Sequence, residues 1–314
     1  MFVCMTSLHC FFLLLFILLH CSCQTTNDLS ATESKVKECF RNKRLIFVGD
    51  SLTRYQYVNL VHFLYTGRWR TSSPQLEWEK NFLNWNTFYM LGSLRMGCYE
   101  ICDCYREEGV AEDKENRFYF DPVYNITIHF VAWCPSVVAP ILMNDIPSIH
   151  EHGMYCANVS FFKGKWSNVS LTYTKKYASN KLESLRLFFD EVIRPQNPDV
   201  VVVNQGHWQG FKEFRASNAV LKDFAAIVRR SSKKAVWKTT TASRSSSEPI
   251  DSPTFLQQIS DAHLHIFDAY ALTANLSKDS RSFVDNVHFM PFVYSIVNQK
   301  FITEVMCSSV PGHT

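Results

Sequence analysis

Apolar residues recur along this chain in two registers. Short continuous runs such as Leu45-Ile46-Phe47-Val48 and Val200-Val201-Val202-Val203, bounded by turn-forming residues, read as strands buried on both faces. Between the runs lie stretches with apolar positions at helical spacing, among them Tyr57, Leu60, Val61 and Leu64. The pattern predicts strands near 44–48, 87–91, 126–132, 199–203, 235–240 and 263–267. It predicts helices near 52–65, 180–193, 212–230, 253–261 and 291–305. The alternation implies an α/β fold, a three-layer α/β/α sandwich with a central parallel sheet. The cysteine-rich stretch 66–122 and the loop 136–178 are expected as disulfide-stabilised insertions that wall a pocket. No internal repeat or long low-complexity tract interrupts this order.

Composition narrows the class. Apolar residues at 46% and charged residues at 19% describe a globular chain, and 314 residues suffice for a large core. A formal net charge of +3 is too small to imply nucleic acid or an anionic membrane surface as partner. The one basic run, Arg229-Arg230-Ser231-Ser232-Lys233-Lys234, ends a predicted helix, where cations complement the dipole.

The first 23 residues carry no charged side chain and include the apolar run Phe11 to Leu19, followed by Cys21-Ser22-Cys23. This segment reads as a secretory signal cleaved before Gln24, with an uncleaved membrane anchor as the alternative. Either way the remainder enters the secretory lumen, to be secreted or held in the Golgi. A polar leader spans 24–38, and one domain spans 39–314. Sequons at Asn125, Asn158, Asn168 and Asn275 agree with that route. Seven cysteines follow the signal, and in an oxidising compartment most should pair, Cys39 with Cys307 being one pairing that would tie the domain's ends together. Disulfides are also the expectation for Cys98, Cys102 and Cys104, and surface positions for His150-Glu151-His152 and His263-Leu264-His265, in preference to metal sites.

Candidate chemistry gathers where strands end. Gly49-Asp50-Ser51 closes the first strand, so Ser51 stands at the amino end of a helix, where N–H groups and the dipole favour developing negative charge. In Asp285-Asn286-Val287-His288 an acid precedes a histidine by three residues, a spacing that lets the carboxylate orient the imidazole. A serine hydroxyl attacks only when a base takes its proton. Ser51, His288 and Asp285 supply nucleophile, base and orienting acid. Asn204 ends the run of valines, and its side-chain N–H is a candidate oxyanion donor beside the backbone N–H of Ser51. Arg54, one turn beyond Ser51, either positions substrate or pairs with a carboxylate, or else is a surface helix arginine. Trp208 either stacks on a sugar ring or belongs to the core. This chemistry requires no metal or organic cofactor.

Gly49-Asp50-Ser51, Asn204-Gln205-Gly206-His207-Trp208 and Asp285-Asn286-Val287-His288 resemble the blocks of the GDSL/SGNH hydrolase superfamily. The resemblance is strongest to its PC-esterase branch, which includes the trichome-birefringence-like polysaccharide O-acetyltransferases. Ser51 to Gln56, Tyr124 to Phe130 with Trp133-Cys134-Pro135, and Val236 to Thr241 extend it over most of residues 39 to 305. The chain departs from the plant enzymes in having Phe289-Met290-Pro291-Phe292 after the histidine, and Lys238 where many relatives carry Arg. The resemblance implies a serine acyl-ester enzyme acting on O-acetyl groups of a glycan through an acetyl-serine intermediate, either an O-acetyltransferase or an acetylesterase. A transferase needs an acetyl donor as a further partner. The superfamily's oxyanion glycine is carried over to Gly92, which follows Phe88-Tyr89-Met90-Leu91, with Gly97 as the next candidate. A non-catalytic glycan-binding or cell-surface module and a lipid or small-ester hydrolase are the alternatives.

Overall fold

The computed structural model describes residues 33–70, 100–102, 117–132, 186, 188–207, 217–246 and 248–308. Among the described residues seven strands form one sheet: β1 (Arg44–Gly49), β2 (Glu100–Cys102), β3 (Arg117–Asp121), β4 (Ile126–Ala132), β5 (Val200–Val203), β6 (Lys234–Lys238) and β7 (His265–Phe267), in spatial order β2-β3-β4-β1-β5-β6-β7. β4, β1, β5, β6 and β7 run parallel, with Phe47 opposite both Phe130 and Val202. The chain leaves β1 first toward β4 and later toward β5. The carboxyl end of β1 is therefore the point where strand order reverses, and ligands of open α/β sheets bind at such a point.

Both faces of the sheet are covered. Leu45, Phe47, Val200 and Val202 belong to one core with Phe301, Val297 and Leu60 from helices α1 (Ser51–Thr66) and α5 (Pro291–Phe301). Ile46, Val48, Val201 and Val203 belong to a second core with Leu221, Phe224 and Val228 of α2 (Asn218–Arg230) and Phe255 and Ile259 of α3 (Pro253–Asp261). Successive side chains of one strand thus feed opposite cores, which is why β1 and β5 are continuous hydrophobic runs. The layers form the predicted α/β/α sandwich.

The edge departs from the expected pattern. β3 is antiparallel to β4, and β2 is antiparallel to β3. A tight turn joins β3 to β4, with Asp121 Oδ1 accepting from the N–H groups of Val123 and Tyr124 and Asn125 at φ 52°. Residues 100–102 and 117–121, expected within a pocket-wall insertion, are sheet. Arg117-Phe118-Tyr119-Phe120-Asp121 shows no clean polar–apolar alternation, and its polar ends, Arg117 and Asp121, are buried along with Phe118 and Tyr119, so it lacks the one polar face of a half-exposed edge strand. Two further differences are local: the stretch 180–193 ends in a wide helical turn, Phe189–Ile193, and an unpredicted short helix α4 (Ala269–Thr273) follows β7. The predicted strand at 87–91, the loop 136–178 and residues 1–32 lie outside the described residues, whereas the end of the expected polar leader, 33–38, is helical and continues to residue 40.

α1 is buried from Leu52 through Leu64, so it is a central helix. It meets α5 through a polar seam: Asn59 Nδ2 donates to the Pro291 carbonyl at 3.2 Å, and Asn298 Nδ2 donates to the Gln56 carbonyl at 3.0 Å. After α5 the chain continues through Ile302–Met306 to Cys307, which is bonded to Cys39 across 268 residues of sequence. Breaking this bridge by Cys39→Ser should lower unfolding free energy by about 2–5 kcal/mol, read in urea melts under non-reducing conditions.

Gly206 turns the chain after β5 with φ 62°, and a Cβ there would overlap the carboxylate of Asp50. Gly206→Ala combines a left-handed alanine with displacement of a helix cap. It should destabilise the protein by about 2 kcal/mol or more in the same melts.

Candidate active site

The β1–α1 turn is built by its own sequence. Gly49 is needed because a Cβ there would come within 2.6 Å of Thr53 Oγ1. Asp50, the N-cap, is 2% exposed, and its Oδ1 accepts from the N–H of Leu52 at 3.0 Å and of Thr53 at 3.4 Å. Ser51 is the first residue of α1. Its own N–H precedes the helical hydrogen-bond ladder and lies at the positive end of the helix dipole.

The turn that carries the histidine is closed by short-range pairing. Phe283 and Phe289 form an antiparallel bridge and stack at 4.1 Å, and Val284 N–H donates to the His288 carbonyl at 2.8 Å. Within it, Asp285 Oδ1 accepts from the N–H groups of Val287 and His288, both at 2.8 Å. Asp285 Oδ2 lies 2.7 Å from His288 Nδ1, and His288 Nε2 lies 2.7 Å from Ser51 Oγ. An ionised carboxylate only accepts, so Nδ1 carries the proton, and Nε2 is left to accept from the Ser51 hydroxyl. Burial opposes ionisation of Asp285, but the two N–H groups and the imidazole outweigh it and hold the carboxyl below its ordinary range. Tyr55 supports the His288 ring at 4.7 Å and is itself stacked on Tyr294 at 5.7 Å. Burial raises the Tyr294 phenol well above 10, so it stays neutral.

The structure thus joins Ser51, His288 and Asp285, drawn from β1–α1 and from the loop before α5, into one hydrogen-bonded chain. Asn204 is placed differently from its predicted role. It is fully buried, and its Nδ2 donates to the Lys238 carbonyl at 2.9 Å and to Thr240 Oγ1 at 3.2 Å, so neither amide hydrogen is left for an oxyanion. Its Oδ1 accepts from Thr53 Oγ1 at 3.3 Å. Asn204 ties the ends of β5 and β6 to α1, a role imposed by burying an amide that must satisfy all its bonds internally. Arg54 is 7% exposed, so it is not a surface helix arginine. Gly92, Gly97, Trp208, Asn158 and Asn168 lie outside the described residues. Asn125 is exposed, with Nδ2 donating to Asn42 Oδ1 at 2.9 Å, and Asn275 is exposed in a short 3-10 turn after α4.

Sequence reasoning passed over a charged cluster beneath the serine. Lys238, at the end of β6, is fully buried with Nζ donating to Thr53 Oγ1 at 3.4 Å. Burial pushes its ammonium down to about 8, against the attraction of the Asp50 carboxylate. His207 Nε2 donates to the Thr241 carbonyl at 3.2 Å, and burial lowers its pKa, against the pull of Asp50. Asp251 Oδ2 accepts from the Thr240 N–H at 2.7 Å. A lysine and an aspartate at the ends of parallel strands were the available signal, since both strand ends open on the same edge. Among the described residues, no group of three His, Cys, Asp or Glu side chains is arranged to hold a metal ion.

No family model and no curated protein sequence matches the chain. Among solved structures, it aligns with a point mutant of an acetyl-xylooligosaccharide esterase from Geobacillus stearmophilus at 12% identity and a TM-score of 0.34, over 83% of this chain and 92% of that one.

Proposed function

We propose that the protein is a serine-dependent acyl-ester enzyme that handles O-acetyl groups of a glycan through an acetyl-serine intermediate. The observation that carries this reading is the continuous chain Ser51 Oγ, His288 Nε2, His288 Nδ1 and Asp285 Oδ2, with 2.7 Å at both contacts. A histidine that merely packed near a helix end would not need hydroxyl and carboxylate at both ring nitrogens. The resemblance of the Ser51, Asn204 and His288 blocks to PC-esterase sequences supports acetyl as the acyl group and a sugar as its bearer.

In the proposed reaction His288 Nε2 takes the Ser51 proton as Oγ attacks the acetyl carbonyl carbon. The resulting oxyanion sits at the amino end of α1, where the Ser51 N–H and the helix dipole stabilise it. His288, now imidazolium beside the Asp285 carboxylate, returns the proton to the departing alkoxide. Acetyl is then bonded to Ser51 Oγ. His288 deprotonates the next hydroxyl, which attacks the acetyl-serine and releases Ser51. Water as that hydroxyl makes the enzyme an esterase, and a sugar hydroxyl makes it a transferase. The Cys39–Cys307 bridge supports an oxidising compartment as the place of action.

The test is turnover of a small acetyl ester by the purified protein, with and without an oligosaccharide acceptor. Ser51→Ala, His288→Ala and Asp285→Asn should each lower kcat by about 10⁴-fold or more while leaving the thermal midpoint close to that of the parent. Acetyl appearing on the acceptor identifies a transferase, and acetate alone identifies an esterase. Unchanged turnover in Ser51→Ala refutes the reading, and a preference for long acyl chains over acetyl refutes its choice of substrate.

A further inference from the structure

Lys238 stands outside the triad, and nothing in the reaction just described uses it. Its ammonium is fully buried, where a charge is expensive unless something needs it, and a methionine of similar length would fill the same volume. Its hydrogen bond goes to Thr53 Oγ1, which donates to Asn204 Oδ1, and Asn204 Nδ2 returns to the Lys238 carbonyl. Thr53 of α1, Asn204 just past the end of β5 and Lys238 of β6 thereby close a ring at the first turn of α1. The carboxylate that attracts Lys238 belongs to Asp50, equally buried and bonded to the two N–H groups that follow Ser51.

We infer that Lys238 is a positioning residue for the Ser51 chemistry: its buried ammonium holds Thr53 by a hydrogen bond and Asp50 by charge, and so sets the turn that presents the nucleophile to His288. The inference rests on the serine-enzyme reading above. Loss of the Lys238 proton leaves the Asp50 carboxylate buried without its countercharge and removes a donor to Thr53. The cap of α1 loosens, and the 2.7 Å alignment of Ser51 Oγ with His288 Nε2 is lost with it.

Asp50 is the charged group acting on Lys238, and its other bonded neighbours, Thr53 and Asn204, do not titrate. Asp50 also acts on His207, which in turn feels Asp251 and His288. His207 titrates below its ordinary value and Tyr294 well above 10. Neither accounts for a change in activity near pH 8. Lys238, brought from 10.5 to about 8, does.

Stability and activity should move in opposite directions across that window. Because the native pKa is depressed, the unfolded chain binds more protons than the native protein between about pH 8 and about 10.4. This residue therefore adds stability as pH rises through the range, while kcat falls. A lysine that served structure alone would leave no alkaline limb in a folded enzyme.

The experiment measures kcat and KM for a small acetyl ester from pH 6 to 10, with thermal midpoints at each pH, for the parent, Lys238→Met and Lys238→Arg. The parent is expected to lose kcat above about pH 8 without a fall in midpoint. Lys238→Met should show kcat about tenfold to a hundredfold lower at pH 7, with KM little changed and no remaining alkaline limb. Lys238→Arg, which stays charged, should retain more activity than Lys238→Met and also lack the limb. A Lys238→Met protein with parental kcat at pH 7, or an alkaline limb that persists in Lys238→Arg, overturns the inference. Ser51→Ala run alongside separates the two readings, because turnover surviving there refutes the serine enzyme itself.

Discussion

A helix that begins immediately after a buried strand must satisfy its first N–H groups from inside the protein, because water does not reach them. Here Asp50 does so, accepting from Leu52 and Thr53 while itself almost wholly withdrawn from solvent. That one burial constrains everything nearby. Gly206 cannot carry a side chain because Asp50 occupies the space, Gly49 cannot because Thr53 does, and a cation at Lys238 answers the charge. The serine lies between these constraints, on a turn with little freedom to move.

The sheet supplies the frame for this arrangement. Parallel pairing of β1 with β4 on one side and β5 on the other fixes where three strand ends open. Covering both faces of the sheet leaves its carboxyl edge as the place where polar side chains of β1, β5 and β6 meet. Asn204 and Thr53 cross from one strand end to the next helix, and the amide's donors and acceptor are all consumed in doing so. Rigidity at that edge is what a preorganised site requires, since a misaligned nucleophile loses the benefit of proximity.

On the opposite side of the serine the histidine is held by a different device. The aromatic pair Phe283 and Phe289 closes the loop, Asp285 folds its backbone and orients its imidazole with the two oxygens of one carboxylate, and Tyr55 from α1 supports the ring. Tyr55 is one turn along the helix from Ser51, so the same element presents the serine and braces the histidine. α5 then returns against α1 through Asn59 and Asn298, and the Cys39–Cys307 bridge ties its far end to the chain entering β1.

The order of elements, the valine run of β5, the Gly-Asp-Ser turn and the Asp-x-x-His spacing are local patterns, and they determined the α/β sandwich and which three residues could meet in the hydrogen-bonded chain of Ser51, His288 and Asp285. Local patterns suffice there because a strand buried on both faces has to be apolar throughout, and because an acid three residues from a histidine can reach it within one turn. The antiparallel edge at β2 and β3, the structural use of Asn204 and the burial of Arg54 and Lys238 were decided by tertiary structure alone. An amide at a strand end reads the same whether it faces a ligand or a neighbouring carbonyl, and a lysine reads as solvent-facing until its neighbours are known. Charge and hydrogen-bond partners brought together from positions 50, 53, 204 and 238 have no signature in any one segment, since their meaning is the distance between them.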